Sequence, residues 1–136
     1  FSMTIVIHHN PACSTSRNVL EIIRGFAGDP VIIEYLKTGW TRQQLQGLFA
    51  AADLTPRDAL RTRKSPAGEL GLTGPAVSDD AILDAMVEHP VLVNRPIVCT
   101  KQGVALCRPS EVVFSLLDVA PGSSFTKEDG DVVTAP

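Results

Sequence analysis

Thr4-Ile5-Val6-Ile7-His8-His9, then Asn10-Pro11-Ala12-Cys13-Ser14-Thr15-Ser16-Arg17, then Val19, Ile22, Ile23 and Phe26, then Val31-Ile32-Ile33-Glu34-Tyr35-Leu36, form the stretch that decides the fold. The first run is β-branched and too short for a helix, so it reads as a buried strand. Asn10-Pro11 breaks it. The four apolar residues that follow fall at i, i+3, i+4 and i+7, the spacing of an amphipathic helix, which Gly25, Gly28 and Pro30 bring to an end. Residues 31–36 are the next strand. Strand, helix and strand joined by short links make a βαβ unit, with parallel strands and a right-handed crossover.

Further along, the β signal disappears. Thr41 with Gln44 three residues on is a capping box, backed by Leu45, Leu48, Phe49 and Ala52. Pro56 is placed to start a short helix running to about Leu60. Ser78, with Asp79 and Asp80, caps another helix carrying Leu83, Met86 and Val87. Strand character returns in Pro96-Ile97-Val98-Cys99-Thr100 and Val104-Ala105-Leu106-Cys107, a hairpin around Lys101-Gln102-Gly103. Pro109-Ser110-Glu111 caps a last helix with Val113, Leu116, Leu117 and Ala120 on one face. The tail from Pro121 is polar and expected to be loosely held. The sum is one α/β domain over 3–136. It is a thioredoxin-like mixed sheet, β-α-β … β-β-α, with its core at 3–36 and 95–120 and a helical insertion at 37–94.

Composition limits what such a domain does. The chain has 136 residues, 44% hydrophobic and 20% charged, and its 12 basic and 15 acidic residues leave a net charge of −3. An acidic balance argues against a general nucleic-acid or anionic-membrane surface. No stretch approaches the roughly 20 apolar residues of a membrane span. There is no basic segment followed by an apolar run at the N-terminus, so a cytoplasmic protein is expected. Phe1 and Ser2 read as a cloning remnant before a natural start at Met3. Cys13, Cys99 and Cys107 form neither an even set nor a metal-ligand spacing, so free thiols and no metal are expected. Nothing marks a coiled-coil seam, and a monomer is the expectation. The 12 cations are eight Arg and four Lys, and Arg is the residue of bidentate oxyanion recognition.

Cys13 lies between the first strand and the first helix. Helix N-termini present unpaired N–H groups that stabilise a thiolate and bind anions, and Ser14, Thr15 and Ser16 add donors. Cys13 and Ser16 make Cys-x-x-Ser, so no resolving thiol stands at the usual Cys-x-x-Cys place. A phosphatase-type loop is also absent, because it needs Arg six positions after the cysteine and Val19 stands there. Arg95-Pro96 opens the third strand, beside the reactive cysteine in a thioredoxin-like sheet, and a cis Arg95–Pro96 bond is expected. Arg108-Pro109 follows the fourth strand, and Arg61 comes from the insertion. Three guanidinium groups around a thiolate would lower its pKa and grip a tetrahedral oxyanion. His9 either tunes the thiolate or ends the strand with a local hydrogen bond. His8 and His89 read as serving structure or solvent; Cys99 and Cys107 read as strand residues facing the core, with Cys107, one residue from Arg108, also placed to approach the site.

His9-Asn10-Pro11-Ala12-Cys13, Thr15-Ser16-Arg17-Asn18, Asn94-Arg95-Pro96-Ile97-Val98, Leu106-Cys107-Arg108-Pro109-Ser110-Glu111-Val112 and Phe125-Thr126-Lys127-Glu128-Asp129-Gly130 together resemble the glutathione/glutaredoxin-dependent arsenate reductase family. The resemblance implies that Cys13 is the nucleophile that attacks arsenate. It implies that Arg61, Arg95 and Arg108 hold the oxyanion, and that His9 and Ser16 keep the thiolate ionised. It further implies no bound cofactor, with glutathione as co-substrate and glutaredoxin as the partner that completes reduction to arsenite. The residues alone reach only a thiolate at an oxyanion site. Two other readings share the fold: a thiol oxidoreductase acting on glutathione-linked substrates, and a regulatory module that binds RNA polymerase. The latter usually carries Cys-x-x-Cys and lacks the paired Arg95 and Arg108 blocks.

Overall fold

The structure, a computed structural model, describes residues 4–136. The reading of residues 1–3 lies outside them. In chain order the elements are β1 (Val6–His9), α1 (Ser14–Phe26), β2 (Val31–Glu34), α2 (Tyr35–Thr38), α3 (Arg42–Ala52), α4 (Asp79–Glu88), β3 (Ile97–Thr100), β4 (Gly103–Leu106), β5 (Ser124–Thr126) and β6 (Val132–Thr134), with 3-10 segments at Pro90–Leu92 and Ser110–Leu116. Contacts gather these into two compact units. One holds the residues up to Glu34 together with Arg95–Pro136, and the other is Tyr35–Asn94.

The first unit contains a four-stranded sheet in the order β2-β1-β3-β4. β1 runs parallel to β2 and antiparallel to β3, and β3 and β4 form the antiparallel hairpin, with Cys99 opposite Val104. The apolar stripe of α1 (Val19, Leu20, Ile22, Ile23) is buried with Ile5, Ile7 and Val98 of the sheet side, and Cys107 joins this core from the end of β4. Burying each such aliphatic side chain contributes about 1.5–3 kcal/mol.

The segment after Pro109 is a 3-10 helix and not the α-helix expected there. Its Val113, Phe114, Leu116 and Leu117 are buried in the same core. The tail is also not loosely held. β5 and β6 pair as an antiparallel hairpin, Phe125 opposite Val133, and Val133 and Ala135 are core residues at 7% and 5% exposure. Phe125, Val133 and Ala135 point inward while Ser124, Thr126, Val132 and Thr134 point outward, a half-buried strand pattern on strands of three residues that the outward Val132 and the short length hide from sequence periodicity.

The second unit is built from helices and turns. Thr41 and Gln44 close the capping box that starts α3, and the Ser78 hydroxyl accepts from Ala81 N–H at the start of α4. Arg42 ties the two helices by pairing with Asp80 and Asp84. The strand expected to reach Leu36 stops at Glu34, and Tyr35 begins α2 and stacks on Trp40 with ring centroids 5.2 Å apart. The helix expected from Pro56 is a single turn. Thr55 and Asp58 exchange hydrogen bonds of 3.0 and 3.1 Å. Leu60 then bridges to Val93, and Asn94 N–H bonds Ala59 O, which draws this backbone out of the helix.

Among the described residues, no helix is long and apolar enough to cross a membrane, and no group of three or more His, Cys, Asp or Glu side chains is arranged to hold a metal ion.

Candidate active site

Cys13 is the N-cap residue of α1, with extended backbone (φ −102°, ψ 122°). The turn before it is fixed by Asn10, whose side-chain oxygen accepts from Ala12 N–H (2.9 Å) and whose carbonyl accepts from Cys13 N–H (3.1 Å). An Asn before Pro makes this kind of turn, and that is the signal by which Asn10 is recognisable as part of the site. The helix then begins with Arg17 N–H on Cys13 O at 2.9 Å. The result leaves Cys13 8% exposed, with its sulfur at the positive end of the helix.

Burial opposes ionisation of this thiol. It is outweighed by the Ser16 backbone N–H, the charge of Arg95, and a hydrogen bond and charge from Arg108, which together hold Cys13 below its ordinary 9.0. Arg108 Nη1 donates to Cys13 Sγ at 3.7 Å and to the Arg95 carbonyl at 3.1 Å. Both the Arg95–Pro96 and the Arg108–Pro109 peptides are cis. Cys107 N–H on Pro96 O (2.9 Å) joins the two Arg-Pro pairs across the ends of β3 and β4.

His9 does not touch the sulfur. Its Nδ1 lies 2.6 Å from Ser16 Oγ, which also accepts from Asn10 N–H at 3.1 Å. Burial pushes the His9 pKa down; Glu34 opposes this, while Arg24 and Arg17 reinforce it. His9 is therefore a neutral group that fixes the Ser16 side chain, and Ser16 meets the thiolate through its backbone. His8, one residue back, is driven to about 4 by burial and stays uncharged at neutral pH.

The first unit thus brings together Cys13, His9, Ser16, Arg95, Pro96 and Arg108. Arg61 belongs to the second unit, where its N–H bonds Leu92 O (2.8 Å) and its Nε bonds Arg63 O (2.9 Å). Two residues quoted in the sequence blocks above without an assigned role border the thiol loop. Arg17 donates to Pro11 O at 2.9 Å and forks onto Glu128, and Asn18 accepts from Glu128 N–H at 3.0 Å. A thiolate held among backbone N–H groups and fixed guanidinium donors is equipped to attack an electrophilic centre bearing anionic oxygens.

Comparison with known proteins identifies relatives of the whole chain. The chain is 65% identical over 129 residues to the arsenate reductase ArsI2 of Synechocystis sp., covering 95% of this chain and 92% of that protein. It is 50% identical over 129 residues to an arsenate reductase of Escherichia coli, again covering 95% and 92%. Its fold is that of a solved arsenate reductase from Vibrio cholerae, with a TM-score of 0.81, 36% identity, and coverage of 86% of this chain and 100% of that one. The ArsC family model matches residues 8–115, which include Cys13, Arg95 and Arg108. A thioredoxin-like α/β chain with this thiol site, matched over that span, belongs to the ArsC family.

Proposed function

We propose that the protein is an oxidoreductase that reduces arsenate to arsenite, with Cys13 as the nucleophile. The observation that carries this reading is Arg108 Nη1 at 3.7 Å from Cys13 Sγ at the start of α1, where Cys13 is held below its ordinary pKa. Arginine beside a thiolate serves two ends at once. It favours the ionised sulfur, and its remaining donors fit two oxygens of a tetrahedral anion.

In the first step the Cys13 thiolate forms a sulfur–arsenic bond and one arsenate oxygen leaves as water, its protons supplied from solvent. Arg95 and Arg108 neutralise the oxygens during this displacement. Arg61 is proposed as a third oxyanion ligand. Glutathione then displaces a second oxygen to give an arsenic bonded to two sulfurs. A glutaredoxin thiolate attacks the glutathione sulfur, and a mixed disulfide leaves while two electrons pass to arsenic, reducing As(V) to As(III). Water releases arsenite and restores the Cys13 thiol. Position 16 is serine, so the protein carries no neighbouring thiol at the Cys-x-x-Cys place, and external thiols supply both reducing equivalents.

The test is NADPH oxidation coupled through glutathione reductase, glutathione and glutaredoxin, with and without arsenate, for wild type and Cys13→Ser. Arsenate-dependent oxidation lost in the variant is the expected result. Oxidation independent of arsenate would replace this reading with a general thiol oxidoreductase.

A further inference from the structure

The C-terminal hairpin reaches the thiol loop through Glu128. Its carboxylate accepts two hydrogen bonds from the Arg17 guanidinium, Nε to Oε2 at 3.1 Å and Nη2 to Oε1 at 2.7 Å. The third used donor of the same guanidinium, Nη1, bonds Pro11 O at 2.9 Å. The Glu128 backbone N–H bonds Asn18 Oδ1 at 3.0 Å, so two successive residues near the start of α1 are fastened to one residue of the hairpin. Lys127 N–H on Asp131 O (2.7 Å) and Gly130 N–H on Lys127 O (2.9 Å) close the turn that presents Glu128. Behind it, Val133 and Ala135 are set in the core. The hairpin is an anchored arm and Glu128 is its tip.

Pro11 is the middle of the segment that turns β1 into α1. Asn10 braces that segment from the protein side, and the Arg17 guanidinium braces it from the solvent side. Released from Pro11 O, the loop would keep the Asn10 turn but lose the bond that fixes the Pro11 peptide two residues ahead of the sulfur. The ion pair itself is half-exposed, and such pairs add little to global stability. What a planar, bidentate fork supplies is direction, because a guanidinium held on two sides can aim its remaining donor at one carbonyl.

We propose that Arg17 and Glu128 form a positioning latch by which the C-terminal hairpin sets the geometry of the Cys13 loop. The latch rests on Cys13 being the nucleophile, as argued above. Its residues touch no reacting atom and act through Pro11 and the first turn of α1. The other polar groups around the sulfur are the Ser16 N–H, Arg95 and Arg108, with His9 acting through Ser16, and none of these is altered by changing Glu128; the Arg17 charge itself also interacts with Cys13, and it too is kept in Glu128→Gln.

The experiment compares wild type with Glu128→Gln, Arg17→Lys and Arg17→Gln. Iodoacetamide alkylation of Cys13 is followed by peptide mass spectrometry from about pH 5 to about pH 10, where a thiol of lowered pKa separates from an ordinary one. Thermal unfolding and the arsenate-coupled assay are run on the same samples. Alkylation at neutral pH is expected to slow about three- to tenfold in all three variants as the midpoint rises by up to one unit. The kcat for arsenate should fall in step, with KM changed less because Arg95 and Arg108 remain. Arg17→Lys keeps the charge that interacts with Cys13 and loses the fork, so its shift reports the fork alone, and Arg17→Gln should shift at least as far.

An unchanged alkylation profile in Glu128→Gln and Arg17→Lys overturns the proposal, whether or not the unfolding midpoint drops, since a brace for the tail alone would move only the latter. Rescue by Arg17→Lys also overturns it, in favour of simple charge. A shifted profile in a protein that shows no arsenate-dependent turnover keeps the latch and refutes the substrate.

Discussion

Cys13, at the start of α1, and Cys107, at the end of β4, are both buried, 8% and 0% exposed, yet their thiols are shifted in opposite directions. Burial pushes Cys107 up to about 12, with Cys99 adding to the rise, and its Sγ–H meets the Ala105 carbonyl at 3.7 Å, a partner that favours the neutral thiol. Cys13 suffers burial too, but the groups facing it are donors: the Ser16 N–H and the Arg108 guanidinium. Depth in the protein does not decide whether a cysteine is reactive. The polarity of the atoms aimed at the sulfur does.

The largest expected break between the two is in turnover. Cys13→Ser should lower arsenate-dependent NADPH oxidation by at least about a thousandfold while keeping the fold, because serine is a good N-cap. Cys107→Ala should leave turnover within about twofold and cost about 1 kcal/mol in stability for the lost packing. Equal inactivity in a folded Cys107→Ala would collapse the contrast.

Next is chemical selectivity with pH. Thiolate is the reacting form, so alkylation at Cys13 should rise through a midpoint below 9.0, while Cys107 stays inert until about 12 or until the protein unfolds. At neutral pH this is a ratio of at least about a thousand, three pK units apart, read by mass spectrometry of the two peptides.

A smaller effect is expected from Arg108→Lys, because Arg108 spends Nη1 on Cys13 Sγ and the Arg95 carbonyl and an ammonium has no Nη2 and Nε left to fork onto an oxyanion. A fall of about 10- to 100-fold in kcat/KM, with an upward shift of the Cys13 alkylation midpoint, is the expected outcome. Smallest is Ser16→Ala. It removes the hydroxyl that joins His9 to Asn10 but keeps the backbone N–H that faces the sulfur, so the alkylation rate should fall only about two- to fivefold. A Ser16→Ala loss as large as that of Arg108→Lys would mean that the hydroxyl faces the sulfur directly.

The sheet, the first helix and the thiol at its start were legible because each rests on local chemistry: β-branched runs, helical spacing from Val19 to Phe26, and Asn10-Pro11 as punctuation. Thr41 with Gln44 was legible for the same reason, since both halves of a capping box lie three residues apart. Less legible was the segment after Pro109. Val113, Leu116 and Leu117 carry the α-helical spacing, yet the segment winds as a 3-10 helix and buries all three, so packing overrides the local pattern. Pro56 begins a turn that Leu60 abandons for Val93, a partner far along the chain. Glu128 was hidden more deeply. A charged residue in a polar tail carries no sign that its partner is Arg17, and only the fold brings the two together.

The hairpin at the end of the chain has a bearing on how the protein is made. Val133 and Ala135 share a core with Ile5 and Ile7, so that core is closed by residues far apart in the sequence. The sheet and the thiol loop therefore belong to a core whose closure waits on long-range contacts, while 35–94 has its own contacts and can organise by itself. A nascent chain stalled before residue 133 would present α1 with its apolar stripe incompletely covered. The reactive thiol loop is thereby tied to the closing of that core.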